Sequence, residues 1–310
     1  MSKSILTVQN INSSSKQQLV GLSAALITVL IWASYFLSLK VGSLTALTLV
    51  ELSLFRYAVP ALVLLPIFIK SINEYKKVPK VYLFGVILGG GLPFFLLSGY
   101  AVELTQVAYG STLIPGVAPL FVTFIAVWVY KQAFPTFRKW GLFLIVFGVF
   151  CMLFYASSNF DLSLLLGQNM LILCAISWAL FTISIRQSGL TPLKVAALAS
   201  LPNGLVIVLW ILFTQPELGY SYLSMSELLG QIVVQGLIVG ICSGICFSAA
   251  IVRIGAEKTA ALGAITPVVA TFFAVVFLGE QIYTSLLIGM ILVISGVVVA
   301  SGVFHGERVS

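Results

Sequence analysis

The chain has 310 residues, of which 60% are hydrophobic and only 8% charged, with a formal net charge of +7. Soluble domains run near ~45–50% apolar and ~25% charged, so water is excluded as the main solvent. The basic excess is accounted for by membrane topology, as shown below, and implies no nucleic-acid partner.

A helix needs about 20 apolar residues to cross a hydrocarbon core of about 30 Å, because every backbone polar group must be satisfied within the segment. Ten stretches meet that condition and are numbered here as spans 1 to 10: residues 18–39, 46–69, 81–102, 108–129, 139–156, 165–185, 195–214, 230–252, 259–278 and 283–303. They are continuously apolar rather than alternating, which excludes a β-barrel. The predicted fold class is an all-α integral membrane protein with ten transmembrane helices. Span 1 is longer than a signal h-region of roughly 7–15 residues and leads straight into further spans, so it is expected to stay in the mature protein.

The spans repeat. Shifting the sequence by 148 positions lays Pro119 on Pro267, Thr123 on Thr271, Gly141 on Gly289 and Gly148 on Gly296. A shift of 146 lays Gly21 on Gly167, Trp32 on Trp178 and Lys40 on Arg186. With the N-terminus in the cytoplasm, every basic residue except Lys40 and Arg56 falls on the inner side, a strong positive-inside signal. Five spans per repeat is odd, so the two halves face opposite ways, the inverted arrangement of alternating-access carriers. The expected organisation is a cytoplasmic tail (1–17), a first repeat (18–156), an extracellular link (157–164), a second repeat (165–303) and a cytoplasmic tail (304–310).

Span 1 carries a ring cluster, Trp32, Tyr35 and Phe36. Such rings can form an interfacial belt, but Trp32 recurs as Trp178 in span 6, which runs the other way across the membrane. That recurrence favours a wall of a central cavity. Span 2 holds Glu51 and Arg56. A charge near mid-membrane costs about 2.5–3.5 kcal/mol on insertion scales, so Arg56 must face protein or water. It is either an internal tie or a substrate or coupling group. Glu51 lies about 140° away around the helix, leaving Glu103, near the outer end of span 3, as the better-placed carboxylate.

Span 3 is interrupted by Gly89, Gly90, Gly91 and Pro93, which predict a kink or a close helix contact. Its counterpart, span 8, carries Gly236, Gly240 and Gly244 at four-residue spacing, a small-residue stripe for tight packing. Span 4 contains Pro115 and Pro119, and span 9 repeats the latter as Pro267; the matched pair reads as hinge or cavity-shaping elements, or as ordinary kinks. Spans 5 and 10, with glycines 141/148 and 289/296, read as outer scaffold. In span 7 the buried amide of Asn203 needs a partner, in a cavity or on a neighbouring helix, and Gln235 of span 8 is a weaker case. The four cysteines, at 151, 174, 242 and 246, fall inside spans and form no disulfide or zinc spacing, and the lone His305 sits in the polar tail. No metal or cofactor is expected.

Taken together, these residues resemble the EamA-type carriers of the drug/metabolite transporter superfamily. The matching features are Trp32 with Lys40, Arg56, Tyr100-Ala101 ahead of Ala108, and Pro119; in the second half they are Trp178, Gly255-Ala256 with Thr259-Ala260-Ala261, Pro267, Gly279-Glu280, and Gly289 with Gly296. One departure is visible: the Gly-Glu pair after the fourth span of a repeat is Lys131-Gln132 in the first copy.

The resemblance implies a carrier of small metabolites, often an exporter of amino acids or related compounds, with a central cavity lined by spans 1, 3, 4, 6, 8 and 9. Its wall candidates in this chain are Trp32, Tyr35, Tyr100, Trp178, Phe181 and Phe247, joined by Arg56 and Asn203 as polar candidates; Gly91, Pro119 and Pro267 are the hinge or cavity candidates. So many rings also suit a quaternary amine through cation–π contact, as an imported or facilitated solute. No GxxxxGK[ST] pattern is present, so energy would come from a gradient, with Glu51 and Glu103 as the candidate coupling groups. The expected partners are a small-molecule substrate, the lipid bilayer and an ion or proton, in a monomer or homodimer of the bacterial inner membrane. A membrane enzyme acting on lipid is a remote alternative, since one histidine and few carboxylates give it little machinery.

Overall fold

Backbone amides buried in hydrocarbon must pair within their own segment, and continuous apolar runs therefore fold as helix. The computed structural model describes residues 15–158 and 160–303. Residues 1–14 of the first expected tail and the whole of the second, 304–310 with His305 among them, lie outside the described residues.

The ten spans are Ser15–Ser43, Leu49–Tyr75, Lys80–Leu104, Val107–Trp128, Thr136–Tyr155, Leu162–Ser188, Pro192–Thr214, Met225–Ile254, Lys258–Leu278 and Thr284–Ser301. Span 1 packs mainly on span 8, and span 6 on span 3, the same contact seen from each repeat. Span 2 pairs with its own equivalent, span 7, and span 5 with span 10. Every major contact thus crosses between the halves, so neither repeat builds a core alone.

Spans 5 and 10 meet backbone to backbone. A Cβ on Gly148 would stand 2.8 Å from the Gly289 carbonyl, and one on Gly296 2.6 Å from the Gly141 carbonyl, so only glycine permits this approach. The opposite face of span 5 presents Trp140, Phe143, Phe147 and Phe150, all exposed, as an apolar surface toward lipid.

Three of the remaining spans are irregular. Span 3 breaks at Gly90 and Gly91, between helical segments Lys80–Gly89 and Leu92–Leu104. The glycines there also give the close contact expected of them: a Cβ on Gly89 would lie 2.7 Å from the Ser177 carbonyl, and one on Gly90 2.7 Å from the Phe181 ring. Span 8 winds as a π-helix over Ile232–Cys242, between α-helical Met225–Gln231 and Ser243–Ile254. That winding breaks up the expected single glycine stripe. Gly236 and Gly240 face Val59 and Pro60 of span 2, whereas Gly244 faces open space. Span 9 is interrupted at Ala264 and Ile265, so Pro267 opens the segment Thr266–Leu278, whereas its repeat partner Pro119 lies inside the continuous helix Val107–Trp128.

Spans 4 and 9 nevertheless end alike. Lys131 (φ 54°) and Gly279 (φ 66°) occupy the left-handed region, and the next amides, Gln132 and Glu280, return to the carbonyls of Ala126 and Ala274 at 3.0 and 3.3 Å. This left-handed closure is kept in both copies although only one has the glycine it favours.

Candidate functional site

The repeat-related tryptophans meet at the centre. Trp32 and Trp178 pack edge to face with ring centroids 6.3 Å apart. Phe247 lies 5.1 Å from Trp32, while Phe181 and Phe94 lie 5.1 and 5.6 Å from Trp178. At these separations the rings touch, so the cluster is closed on itself. Trp32, Trp178, Phe181 and Phe247, four of the rings expected from sequence, are therefore brought together by spans 1, 6 and 8. Phe94 was not anticipated, although it directly follows the Gly91 to Pro93 interruption that aims it.

One turn along span 1 a second layer begins. Tyr35 is buried, its hydroxyl 2.9 Å from the Ser98 hydroxyl, and its ring packs on Phe36 and Phe95. Arg56 enters this layer from span 2. Its guanidinium carbon sits 5.9 Å from the ring centres of both Tyr35 and Tyr57, and Nη1 donates to the Gln235 carbonyl at 3.5 Å. Among the described residues the only ion pair is Lys194 with Glu74, far from Arg56 in the sequence, so the guanidinium has two ring faces and one long hydrogen bond but no carboxylate. Span 2 begins at Leu49, which places Arg56 about 10 Å from its end rather than near the middle.

Behind Arg56 spans 1 and 8 are tied by buried amides. Ser38 Oγ donates to Gln231 Oε1 at 2.5 Å and accepts from Gln235 Nε2 at 3.0 Å. The Gln235 side-chain oxygen is buried without a partner among the described residues.

The other candidates lie elsewhere. Asn203 brackets the break in span 3: Oδ1 accepts from the Leu92 amide at 2.8 Å, and Nδ2 donates to the carbonyls of Ile87 and Ala199 at 2.9 and 2.7 Å. A Cβ on Gly91 would collide with both the Ile87 carbonyl and this amide, so Gly91 serves the same bracket. Tyr100 is exposed and lines a separate cleft of about 470 Å³ between spans 2, 3 and 7, with Trp210 and Glu103. Glu51 is 1% exposed and caps span 2, its oxygens accepting from the Thr48 amide and hydroxyl and from the amides of Gly219 and Tyr220. Its acceptor positions are filled, and neither it nor Glu103 pairs with Arg56.

Glu280 gained no role from the sequence beyond its motif. Both its oxygens accept from the Val107 amide at 3.1 Å, where span 4 begins. Burial pushes its carboxyl above the usual carboxylate range, against the opposing pull of that amide and the Lys40 ammonium.

Comparison with known proteins places these features in a family. The EamA-like transporter family matches residues 19–154 and 165–302. A Bacillus subtilis (strain 168) protein, "Uncharacterized transporter YoaV", is 24% identical over 286 residues, covering 90% of this chain and 96% of its own length. A solved chain described only as "Crystal structure of protein" shares the fold with a TM-score of 0.60 at 19% identity, covering 93% of this chain and 98% of the other.

Proposed function

Because the chain belongs to the EamA-like transporter family, matched over both repeats, we propose that it exports a small metabolite, an amino acid or related compound, by alternating access. In this reading both termini are cytoplasmic, and the protein works as a carrier rather than an enzyme. The observation that supports it best is Arg56: a membrane-embedded cation beside the repeat interface with no carboxylate partner among the described residues. A substrate carboxylate would supply the missing anion, since a guanidinium in low dielectric gains most from a charged acceptor. The ring layer of Trp32, Trp178, Phe181 and Phe247, contributed by both repeats, would hold the apolar part of the substrate.

A second reading has its own support. The same rings suit a quaternary amine by cation–π contact, as an imported or facilitated solute, but Arg56 would then repel the ligand's charge. Proton coupling through Glu51 is disfavoured by the four donors that already surround it. Exchange or facilitated movement fits better.

Ligand-induced thermal stabilisation of the purified protein separates these readings, because a ligand at 100 times its Kd raises stability by about 2.7 kcal/mol. Amino acids should stabilise the protein and quaternary amines should not. Stabilisation by the amines alone would remove Arg56 from the site and reverse the assignment.

A further inference from the structure

The two ends of the molecule differ in a way the repeat makes measurable. At one end Lys40, closing span 1, donates to the carbonyls of Val102, Glu103 and Thr105 at 2.9, 3.4 and 2.6 Å, at the C-terminal end and cap of span 3. Glu280, following span 9, accepts from the first amide of span 4, whose own N-cap, Gln106, gives no side-chain cap. A cation on a helix C-terminus and an anion on a helix N-terminus both suit the helix dipole. Gln106 adds a bond to the Gln281 carbonyl at 2.8 Å, and beneath this clasp Val107 to Ile114 are buried without exception.

The repeat names the equivalent groups at the other end: Arg186 for Lys40, Arg253 to Gly255 for Thr105 to Val107, and Gln132 for Glu280. Among the described residues no hydrogen bond joins them. Arg186 and Gln132 are exposed, and Arg253 turns back onto the Ala249 carbonyl of its own helix. The repeat counterpart of the last five residues buried beneath the clasp, Lys258 to Leu262 at the start of span 9, has only Thr259 buried. The backbone closures that carry Gln132 and Glu280 match, so at these two positions the difference lies in the side chain.

We propose that Lys40 and Glu280 are the gate that holds one end of the transport path shut, and that the carrier rests with the opposite end, where glutamine replaces the carboxylate, free to open. The proposal builds on the carrier reading above and gives it a direction: with the termini cytoplasmic, the clasp is extracellular and the resting protein receives substrate from inside. Lys40 and Glu280 act by positioning spans 3 and 4 and do not touch the substrate.

Electron-electron double resonance between nitroxides on Leu104→Cys and Gln281→Cys, both at exposed positions flanking the clasp, reads the gate without any substrate. The four native cysteines are replaced beforehand. The parent should give one short distance. Glu280→Gln and Lys40→Met should each shift the pair to a longer distance, and Glu280→Asp, which keeps the charge, should restore the short one. A control pair on Phe147→Cys and Ile291→Cys, across spans 5 and 10, should stay fixed. Unchanged distances in Glu280→Gln, no restoration by Glu280→Asp, or movement of both pairs together would each overturn the gate. Because no ligand is needed, this result is independent of the flux assay that judges the carrier reading.

Discussion

Asn203 makes three hydrogen bonds, all of them on backbone groups or across the break in span 3. Removing the side chain would leave the Leu92 amide and the Ile87 carbonyl unpaired, at about 1–3 kcal/mol for each buried group. Asn203→Ala should therefore melt well below the parent while keeping its ligand preference. Wild-type stability with lost binding would instead return Asn203 to the substrate site. Lys131 offers the opposite test: a lysine in the left-handed region costs about 1 kcal/mol relative to glycine. Lys131→Gly should raise the unfolding free energy by roughly that amount, and no gain would mean the turn is not strained. The sequence showed that Asn203 needed a partner, because a mid-membrane amide always does. Which partner was not legible, since the gap it fills arises 111 residues earlier in the chain and only packing brings the two together. Arg56 was legible as costly. Its weak ties, a 3.5 Å bond and two rings, became visible only in three dimensions.

The long apolar runs and the matched glycines made the elements themselves readable. Hydropathy locates ten spans because hydrocarbon leaves helix as the only way to satisfy a continuous apolar backbone. It says little about winding within a span. The π-helical stretch Ile232–Cys242 was missed because it lies in a run as apolar as its neighbours, whereas the break at Ala264 and Ile265 adjoins Pro267, which was read as a hinge or a kink without a position for the interruption. The prolines of the two repeats were expected to act alike, yet Pro119 sits inside a helix and Pro267 starts one; the same residue suits either place because it lacks an amide donor. The pairing of spans 5 and 10 yields a sharp prediction. Gly296→Leu drives a side chain into the Gly141 carbonyl and the Ile145 backbone, at the upper end of the roughly 1–3 kcal/mol that overpacking costs. A clear drop in melting temperature is expected, and a variant that melts with the parent would mean these helices are not held in contact.

Across the whole molecule the inverted repeat is what produces a site at all. Each major contact joins a span to the other half, so the rings of Trp32 and Trp178, 146 positions apart, meet only when both repeats are assembled. Sequence identified those two rings through the repeat. It could not exclude Tyr100, which shares their aromatic character but faces a cleft between spans 2, 3 and 7. The departure at Gln132 was visible in the residues too, yet its meaning depends on Glu280 reaching the start of span 4. In the proposed function Arg56 and the ring layer form the site of an alternating-access carrier. Its most direct test is uptake of labelled amino acids into proteoliposomes loaded with the same unlabelled solute. Uptake should be saturable and stimulated by the internal solute, and abolished in Arg56→Ala although that variant folds and melts close to the parent. Uptake that rises linearly with concentration, without stimulation from inside and indifferent to Arg56, would contradict it.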